Sequence, residues 1–250
     1  TWRSFGSFRL GFVCRSFCFC IFVADMRQLH KRIHAEGTMP IIIALCLVAV
    51  AASVVNWFFP TQTVWHGLLY AVCVAFLVLI IRFFRIPISR ATTILDNAVI
   101  APADGKVAAN EVVMEEEYFH EKRRQISIFM SIYDVHVNVF PFDGEVTYYN
   151  YHPGKFLVAF NPKSSTDNEH NTIVLRDKKG REVMVRQIAG FVARRIVCEL
   201  EPGDEAVVGE ELGMIRFGSR VDVFLPLDAE VKVKIGEKTL SKKTVLAIQS

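Results

Sequence analysis

Gly218–Ser219 is the pair of residues in this sequence that could undergo the most distinctive reaction. A Gly-Ser pair is common in turns, and by itself it indicates only a turn. Where the peptide between the two residues is held under strain, however, the serine hydroxyl can attack the glycine carbonyl one residue upstream. Glycine has no Cβ and leaves that carbonyl open to approach. The pair therefore predicts either an ordinary turn or a self-cleaving bond.

Segment 134–139 is a second candidate for chemistry, because its polar side chains could line a cleft. Polar and apolar residues alternate there, so a strand would direct Asp134, His136 and Asn138 to one face. Histidine is the natural proton carrier near neutral pH. The same alternation is usual in a half-buried strand, in which His136 would be a hydrogen-bonded structural residue. Asp104, which stands before a glycine, is likewise either a β-turn residue or a functional acid.

The elements that must position these residues follow two different sequence patterns, which meet at about residue 90. Before that point lie two apolar stretches, 41–59 and 64–84, each long enough to cross a hydrocarbon core of about 30 Å as a helix. Only residues 60–63 join them, which predicts a tight helical hairpin. Buried helices of a soluble protein rarely come as two such uninterrupted neighbours, so we interpret residues 26–90 as a membrane anchor.

Charge predicts how this anchor is oriented. Basic residues flank the two apolar stretches: Arg27, Lys31, Arg32, Arg82, Arg85 and Arg90. The loop between the stretches carries no charge, and by the positive-inside rule both ends of the hairpin then face the cytoplasm. We therefore expect the protein in the cell (inner) membrane, with residues 91–250 on the cytoplasmic side.

The first 25 residues differ in composition from the rest of the chain. They contain three of the six cysteines and scattered arginines, and they lack the small-residue cleavage site of a signal peptide. We interpret residues 1–25 as an upstream-translated extension and Met26 as the start. The remaining cysteines, Cys46, Cys73 and Cys198, have no disulfide or metal-ligand spacing, which favours a reduced compartment; no metal is expected.

Residues 91–250 have the pattern of a mainly β domain. Short β-branched runs bounded by Gly, Pro, Asn and Asp predict strands at 125–129, 135–140, 172–175, 182–188 and 221–225. Closely spaced turn residues between 197 and 225 predict frequent reversals, as in a barrel-like β-sandwich with little helix. Lys+Arg 29 against Asp+Glu 26 leaves a net charge of +3, too slight for a phosphate-tracking surface, so nucleic acid is not an expected partner.

Six segments in this order resemble the phosphatidylserine decarboxylases, in particular their shorter subclass. They read APADGK, DVHVN, YHPGK, NPKSS, RQIAG and FGSRVD, and they begin at residues 101, 134, 151, 161, 186 and 217. The resemblance runs from about residue 83 to the C-terminus. A short hydrophobic hairpin ahead of the catalytic domain is also typical of this membrane-attached family.

The resemblance implies a proenzyme that makes its own cofactor. The Ser219 hydroxyl attacks the preceding carbonyl and converts the peptide bond to an ester, and elimination leaves dehydroalanine, which hydrolyses to a pyruvoyl group with loss of ammonia. The cut between Gly218 and Ser219 gives a β chain ending at residue 218 and an α chain of residues 219–250. His136, held by Asp104, is the implied base, because a serine hydroxyl is a weak nucleophile without one.

Two features separate this chain from the longer enzymes of the family. Those enzymes carry a second histidine three residues after the first, where this chain has Val139. The self-cleavage base is therefore assigned to His136 by elimination, and His120, His152 and His170 remain alternatives. The longer enzymes also have Leu-Gly-Ser-Thr where segment 217–220 reads Phe-Gly-Ser-Arg, a difference that fits the shorter subclass.

The resemblance also implies the reaction. The pyruvoyl ketone forms a Schiff base with the amine of phosphatidylserine, CO2 leaves, and the electrons delocalise into the pyruvoyl amide carbonyl, so no diffusible cofactor is needed. Protonation, by His136, then gives phosphatidylethanolamine. The implied partners are membrane phosphatidylserine and the chain's own α and β products, with a higher homo-oligomer left open. Basic residues considered for the lipid phosphate, each equally compatible with a solvated surface charge, are Lys155, Arg186, Arg194, Arg195 and Arg220.

A non-catalytic interpretation belongs to a different class of protein. Segment 201–210, together with segment 102–105, also looks like lipoyl- or biotinyl-type hammerhead carriers and membrane adaptor proteins. A carrier needs a modified lysine at a hairpin tip, which we cannot place here, and has no use for Gly218–Ser219. We therefore expect the hammerhead likeness to hold for the fold and to be uninformative about activity. A third interpretation is a different pyruvoyl-dependent decarboxylase, and the membrane hairpin disfavours it because soluble amino acids need no such anchor.

Overall fold

The structure, a computed structural model, describes residues 32–61, 63–154, 168–190, 195–216 and 219–250. The chain divides into two compact units, Thr1–Ile86 and Pro87–Ser250. The extension predicted at residues 1–25 lies outside the described residues.

The described part of the first unit is a pair of apolar helices. A turn of 3-10 helix, Ala35–Gly37, leads into α1, Thr38–Phe58, and α2 follows at Val64–Phe83. Both predicted helices are confirmed. α1 begins three residues earlier than predicted, because proline at position 40 is tolerated within the first turn of a helix. Both helices are long and apolar enough to cross a membrane, and nearly all of their surface is exposed, which weakly suggests membrane association.

Hydrogen bonds at both ends hold these helices together as a hairpin. Near the connecting loop, the Tyr70 hydroxyl donates to Asn56 Oδ1 at 3.0 Å. At the opposite end, the amide of His34 donates to the carbonyl of Phe84 at 2.8 Å. The helix pair is therefore closed by polar contacts where its apolar stretches begin and end.

The described residues of the second unit form fourteen strands and contain no α-helix. The strands are β1 Ala98–Ile100, β2 Gly105–Glu115, β3 Glu121–Met130, β4 Val137–Val139, β5 Gly144–His152, β6 His170–Arg176, β7 Glu182–Ile188, β8 Ile196–Val197, β9 Glu205–Ala206, β10 Glu211–Ile215, β11 Ser219–Leu225, β12 Glu230–Val231, β13 Lys238–Thr239 and β14 Val245–Ile248. The predicted mainly β class is confirmed.

These strands form one large curled sheet and two small ones. The large sheet has the order β13-β2-β3-β11-β7-β6-β5-β9, and the small sheets have the orders β1-β14-β12 and β4-β10-β8. β11 lies inside the large sheet, antiparallel to β3 on one side and to β7 on the other. Interior strands are paired along both edges, so β11 is held by two ladders of hydrogen bonds.

Side chains of β11 alternate between the two faces of the sheet. Val221 and Val223 join the main hydrophobic core, whereas Arg220 and Asp222 point the other way and are also buried. Every residue of β11 is buried. The strand that begins at Ser219 is therefore apolar on its inner face and charged on its outer face.

Candidate functional site

Ser219 is the first residue of β11 and is fully buried. It is in register with Met130, the last residue of β3. The Ser219 hydroxyl donates to the Met130 sulfur at 3.2 Å, and a thioether is only a weak acceptor. Gly218 lies outside the described residues, so of the two residues at the predicted cleavage bond the structure describes Ser219.

A chain of buried carboxamides reaches the same methionine. Asn138 Nδ2 donates to the Met130 sulfur at 3.7 Å, and Gln187 Nε2 donates to Asn138 Oδ1 at 2.6 Å. Asn171 Nδ2 in turn donates to Gln187 Oε1 at 2.9 Å. All three amides are fully buried. Sequence reasoning gave Gln187 and Asn171 no role, although Asn138 and Gln187 both stand in the segments that carry the family resemblance.

His136 is fully buried and lies just before β4. Its Nδ1 is 3.0 Å from the carbonyl oxygen of Asp134. Because a carbonyl only accepts hydrogen bonds, Nδ1 carries the hydrogen in the neutral ring, and the lone pair is on Nε2. A neutral imidazole with its lone pair on Nε2 has the form that a general base requires.

The predicted strand face of Asp134, His136 and Asn138 is wrong. The strand at this place is only Val137–Val139, shorter than the predicted 135–140. Asp134 is in a tight turn instead, where its carboxylate accepts the amide of Ser131 at 2.8 Å. The acid and the histidine are therefore brought together through the Asp134 main chain and not through a shared strand face.

Asp104 is buried and is held by residues far away in sequence. Arg90 contacts both carboxylate oxygens, and Ser241 donates to Oδ1 through its amide and its hydroxyl, both at 2.8 Å. Burial alone would raise the pKa of Asp104, but the hydrogen bonds from Arg90 and Ser241 outweigh it and hold the pKa below its usual value. None of these hydrogen bonds involves His136.

The Asp104 segment nevertheless reaches β4 through its backbone. The carbonyl of Pro102 accepts the amide of Val139 at 2.9 Å. The amide of Ala101 donates to the carbonyl of Thr244 at 2.7 Å. Asp104 thus fixes a segment that supports the strand carrying Asn138 and following His136.

Arg186, considered for the lipid phosphate, is paired inside the protein. Its Nη2 lies 3.1 Å from Glu115 Oε1 and 2.8 Å from Glu117 Oε2. Its guanidinium also lies 5.0 Å from the centre of the Phe224 ring. These residues, with His170, line a cavity of about 300 Å³ on this side of the large sheet. By strand alternation, Phe224 points to the opposite face from Ser219.

The other basic candidates differ in environment. Arg220 forms a two-point ion pair with Asp222, at 2.8 and 2.6 Å, and is buried. Arg195 is exposed. Lys155 and Arg194 lie outside the described residues. Among the five candidates, Arg195 is thus the one that the described part of the chain leaves on the surface.

The alternative histidines form a cluster of their own. His152 and His170 are opposite each other on β5 and β6, and their rings stack with centres 4.4 Å apart at 18°. His152 Nε2 is 2.7 Å from Glu117 Oε1, and burial lowers the pKa of His170. Ligand atoms of these three residues lie within 4.8 Å of one another. Glu117 in this cluster also accepts from Arg186 at 2.8 Å and from the Thr172 hydroxyl at 2.8 Å. His120 is exposed.

Comparisons with known proteins identify the family of this chain. The family model described as phosphatidylserine decarboxylase matches residues 76–247. A phosphatidylserine decarboxylase proenzyme of Cytophaga hutchinsonii is 46% identical over 215 residues, which are 86% of this chain and 97% of the relative. The proenzyme of Phocaeicola vulgatus is 43% identical over 89% of this chain and 97% of its own. That of Amoebophilus asiaticus is 51% identical over 67% of this chain and 74% of its own. With its buried serine at the head of β11, the chain belongs to the phosphatidylserine decarboxylase family.

Proposed function

We propose that this protein is a self-processing phosphatidylserine decarboxylase, cut between Gly218 and Ser219. The observation that carries the proposal is the position of Ser219 in a member of this family. Its hydroxyl is fully buried at the start of an interior strand, and among the described residues its acceptor is the thioether of Met130 at 3.2 Å. A thioether is a weak acceptor, so this contact does little to hold the hydroxyl back from attack.

The residues around Ser219 fit the formation of a pyruvoyl group. Conversion of a serine needs a hydroxyl, a base, surroundings that keep bulk water from the intermediate ester, and one water molecule for the final hydrolysis of dehydroalanine. Ser219 supplies the hydroxyl, and buried His136 supplies a ring whose Nδ1 proton is fixed by Asp134. The apolar inner face of β3 and β11 excludes water. Once formed, the group supplies a ketone that binds the substrate amine and a neighbouring carbonyl that takes up electrons.

The chain's own residues have the following roles in this proposal. His136 Nε2 takes the proton from the Ser219 hydroxyl during self-cleavage and returns a proton to the substrate carbon after CO2 has left. Asp104 acts at a distance: it holds segment 101–104 against β4 through the Pro102 carbonyl. Among the basic residues considered for the lipid phosphate, Arg195 has the exposure that this contact requires.

The two apolar helices would hold the protein at the membrane that contains its substrate. The acyl chains of phosphatidylserine stay in the bilayer, so only the head group must reach the enzyme. Anchoring the β unit at the same membrane raises the local concentration of substrate. Arg82 and Arg85, at the end of α2, would be attracted to an anionic cytoplasmic surface, as the proposed orientation requires.

Intact-mass analysis of the purified full chain tests this function. We expect a C-terminal fragment of about 32 residues, residues 219–250, with a blocked N-terminus that a carbonyl-trapping hydrazine labels. Ser219→Ala should remain uncut and inactive. Ser127→Ala, which removes a buried hydroxyl from the neighbouring strand β3, should be cut normally. An unbroken wild-type chain that still releases CO2 from phosphatidylserine, or decarboxylation by Ser219→Ala, would refute the proposal.

A further inference from the structure

Three side chains that are far apart in sequence meet on one face of the large sheet. His152 ends β5, His170 begins β6, and the antiparallel register places them opposite each other. Glu117 comes from the turn between β2 and β3, and its Oε1 lies 2.7 Å from His152 Nε2. The possible ligand atoms of the three residues all lie within 4.8 Å of one another. We refer to these three residues as the Glu117 cluster.

The separations within the Glu117 cluster suit a small divalent metal ion. Zinc takes nitrogen and oxygen ligands at about 2.0 to 2.2 Å, so two ligands of a tetrahedral site are roughly 3.3 Å apart. The contact of 2.7 Å and the outer limit of 4.8 Å lie on either side of this value. The His152 side chain is 35% exposed. Its ring therefore has room to tilt out of the stacked arrangement, so that its lone pair and that of His170 converge.

Hydrogen bonds already orient two of the three ligands. His170 Nδ1 lies 2.7 Å from the carbonyl oxygen of Asn168, so Nδ1 carries the hydrogen and Nε2 has the lone pair. Glu117 Oε2 accepts from the Thr172 hydroxyl and from Arg186, both at 2.8 Å, which fixes the direction of Oε1. Histidines and carboxylates that bind metals are typically held by such hydrogen bonds on their other atoms.

The charge beside the Glu117 cluster also favours a cation. A cavity of about 300 Å³ adjoins it, and among the described residues the charged lining of this cavity is Arg186 with three glutamates, Glu115, Glu116 and Glu117. With neutral histidines, this lining has a formal charge of −2, which one divalent ion would cancel. Mg²⁺ and Ca²⁺ prefer oxygen ligands throughout, whereas two imidazoles favour zinc and the neighbouring transition metals.

We infer that Glu117, His152 and His170 form a binding site for a divalent transition-metal ion such as Zn²⁺. Three protein ligands leave a fourth position for water, on the side of the cavity. The ion would join the β2–β3 turn to β5 and β6, and would therefore stabilise the folded β unit. Phe224, which lines the same cavity, points to the opposite face of the sheet from Ser219. The inference adds a site to the proposed function and does not rest on it.

Zinc binding to the full chain of the Ser219→Ala precursor, purified in detergent and stripped with a chelator, tests the inference. Free Zn²⁺ at 100 times its dissociation constant should raise the melting temperature by about 5 to 10 °C, because the ion binds the folded state. His152→Gln and His170→Gln should each weaken binding by more than about 100-fold in competition with a fluorescent zinc chelator. Losing only a hydrogen bond behind a metal ligand already costs about 10- to 100-fold. The control is His120→Asn, which changes an exposed histidine beside the same turn and should bind zinc as the parent does.

Cobalt provides a readout that a merely structural role of the histidines would not change. Co²⁺ bound in place of zinc should show the visible d–d absorption of nitrogen and oxygen ligands, and His152→Gln should lose this absorption. Thiolate ligands would add intense ultraviolet charge transfer. The spectrum therefore distinguishes the Glu117 cluster from the cysteines of the chain.

The inference is refuted if the parent does not respond to zinc, or if zinc raises the midpoints of both histidine variants as much as that of the parent. Thiolate charge transfer as the only cobalt signal would refute it as well. Should His170→Gln melt well below the parent without metal, His152→Gln decides, because its ring is partly exposed: a folded variant that still binds zinc tightly overturns the inference. None of these measurements needs cleavage, so a wild-type chain that stays uncut would refute the proposed function and leave the metal site standing.

Discussion

Replacing Asp104 by asparagine should destabilise the β unit, because Asp104 joins parts of the chain that are far apart in sequence. Its carboxylate is almost completely buried and takes hydrogen bonds from Arg90 and from both the amide and the hydroxyl of Ser241. Breaking a buried ion pair costs about 3 to 5 kcal/mol. Asparagine keeps one acceptor oxygen and Arg90 is 20% exposed, so the lower end, about 3 kcal/mol, is expected.

That loss should be visible as a lower melting temperature. One kcal/mol shifts the midpoint by roughly 2 to 4 °C in a domain of this size, so Asp104→Asn should melt about 6 to 12 °C below wild type near neutral pH. Because the folded pKa of Asp104 lies below its unfolded value, its stabilisation is present above about pH 4 and is lost as the pH falls through the folded pKa. The difference between the two proteins should therefore shrink below pH 4.

Thermal unfolding of detergent-solubilised Ser219→Ala precursors, with and without Asp104→Asn, measures this change in melting temperature without interference from cleavage. In the cleavage-competent chain, Asp104→Asn should process slowly at 37 °C and recover when cooled well below its midpoint, because Asp104 acts by holding segment 101–104. A midpoint within 2 °C of the reference would refute the ion-pair reasoning. A stable variant whose cleavage stays slow at every temperature would instead place Asp104 in direct contact with the chemistry.

Two further outcomes follow from the described contacts. Burial lowers the folded pKa of His170, so the unfolded chain binds its proton first and stability should fall as the pH drops below about 6.5. The midpoint of His170→Gln should therefore fall less between pH 7 and pH 5 than that of wild type, whereas exposed His120→Asn should follow wild type. For the proposed orientation, a membrane-impermeant maleimide added to intact spheroplasts should label a cysteine placed by Thr61→Cys. One placed by Lys178→Cys in the β unit should be labelled only after permeabilisation, and the reverse result would contradict a cytoplasmic domain.

Local pattern predicted the elements well and their ends less well. The strand at 182–188 was predicted with its observed bounds, because its apolar residues are bounded by turn residues on both sides. The strand predicted at 221–225 begins at Ser219, since pairing with β3 extends the ladder to Met130. The strand predicted at 135–140 is only Val137–Val139, and it is preceded by the turn that Asp134 closes. Strand ends depend on partners that a single segment does not reveal.

Composition of the candidate site was less predictable than its individual residues. Ser219 and His136 could be selected from residue type and motif, but the partners of Asp104 could not, because Ser241 lies 137 positions away in sequence. Nor could the chain of carboxamides from Asn171 to Asn138 be predicted, because its members lie on three different strands. Hydrogen bonds between strands that are distant in sequence depend on the order of the strands in the sheet, and no local sequence pattern indicates that order.

The position of the proposed cut explains how the mature protein would stay assembled. Residues 219–250 contain four strands, and each pairs with a partner that precedes the cut or shares its sheet: β11 with β3 and β7, β13 with β2, and β14 with β1. Val221, Val223 and Leu246 from this fragment are also part of the main hydrophobic core. Cleaving the bond before Ser219 removes one covalent link but none of these hydrogen bonds or apolar contacts. The fragment would therefore remain an interior part of the sheet, and the new group at its N-terminus would stay at the head of β11, beside the Met130 sulfur that Asn138 also contacts.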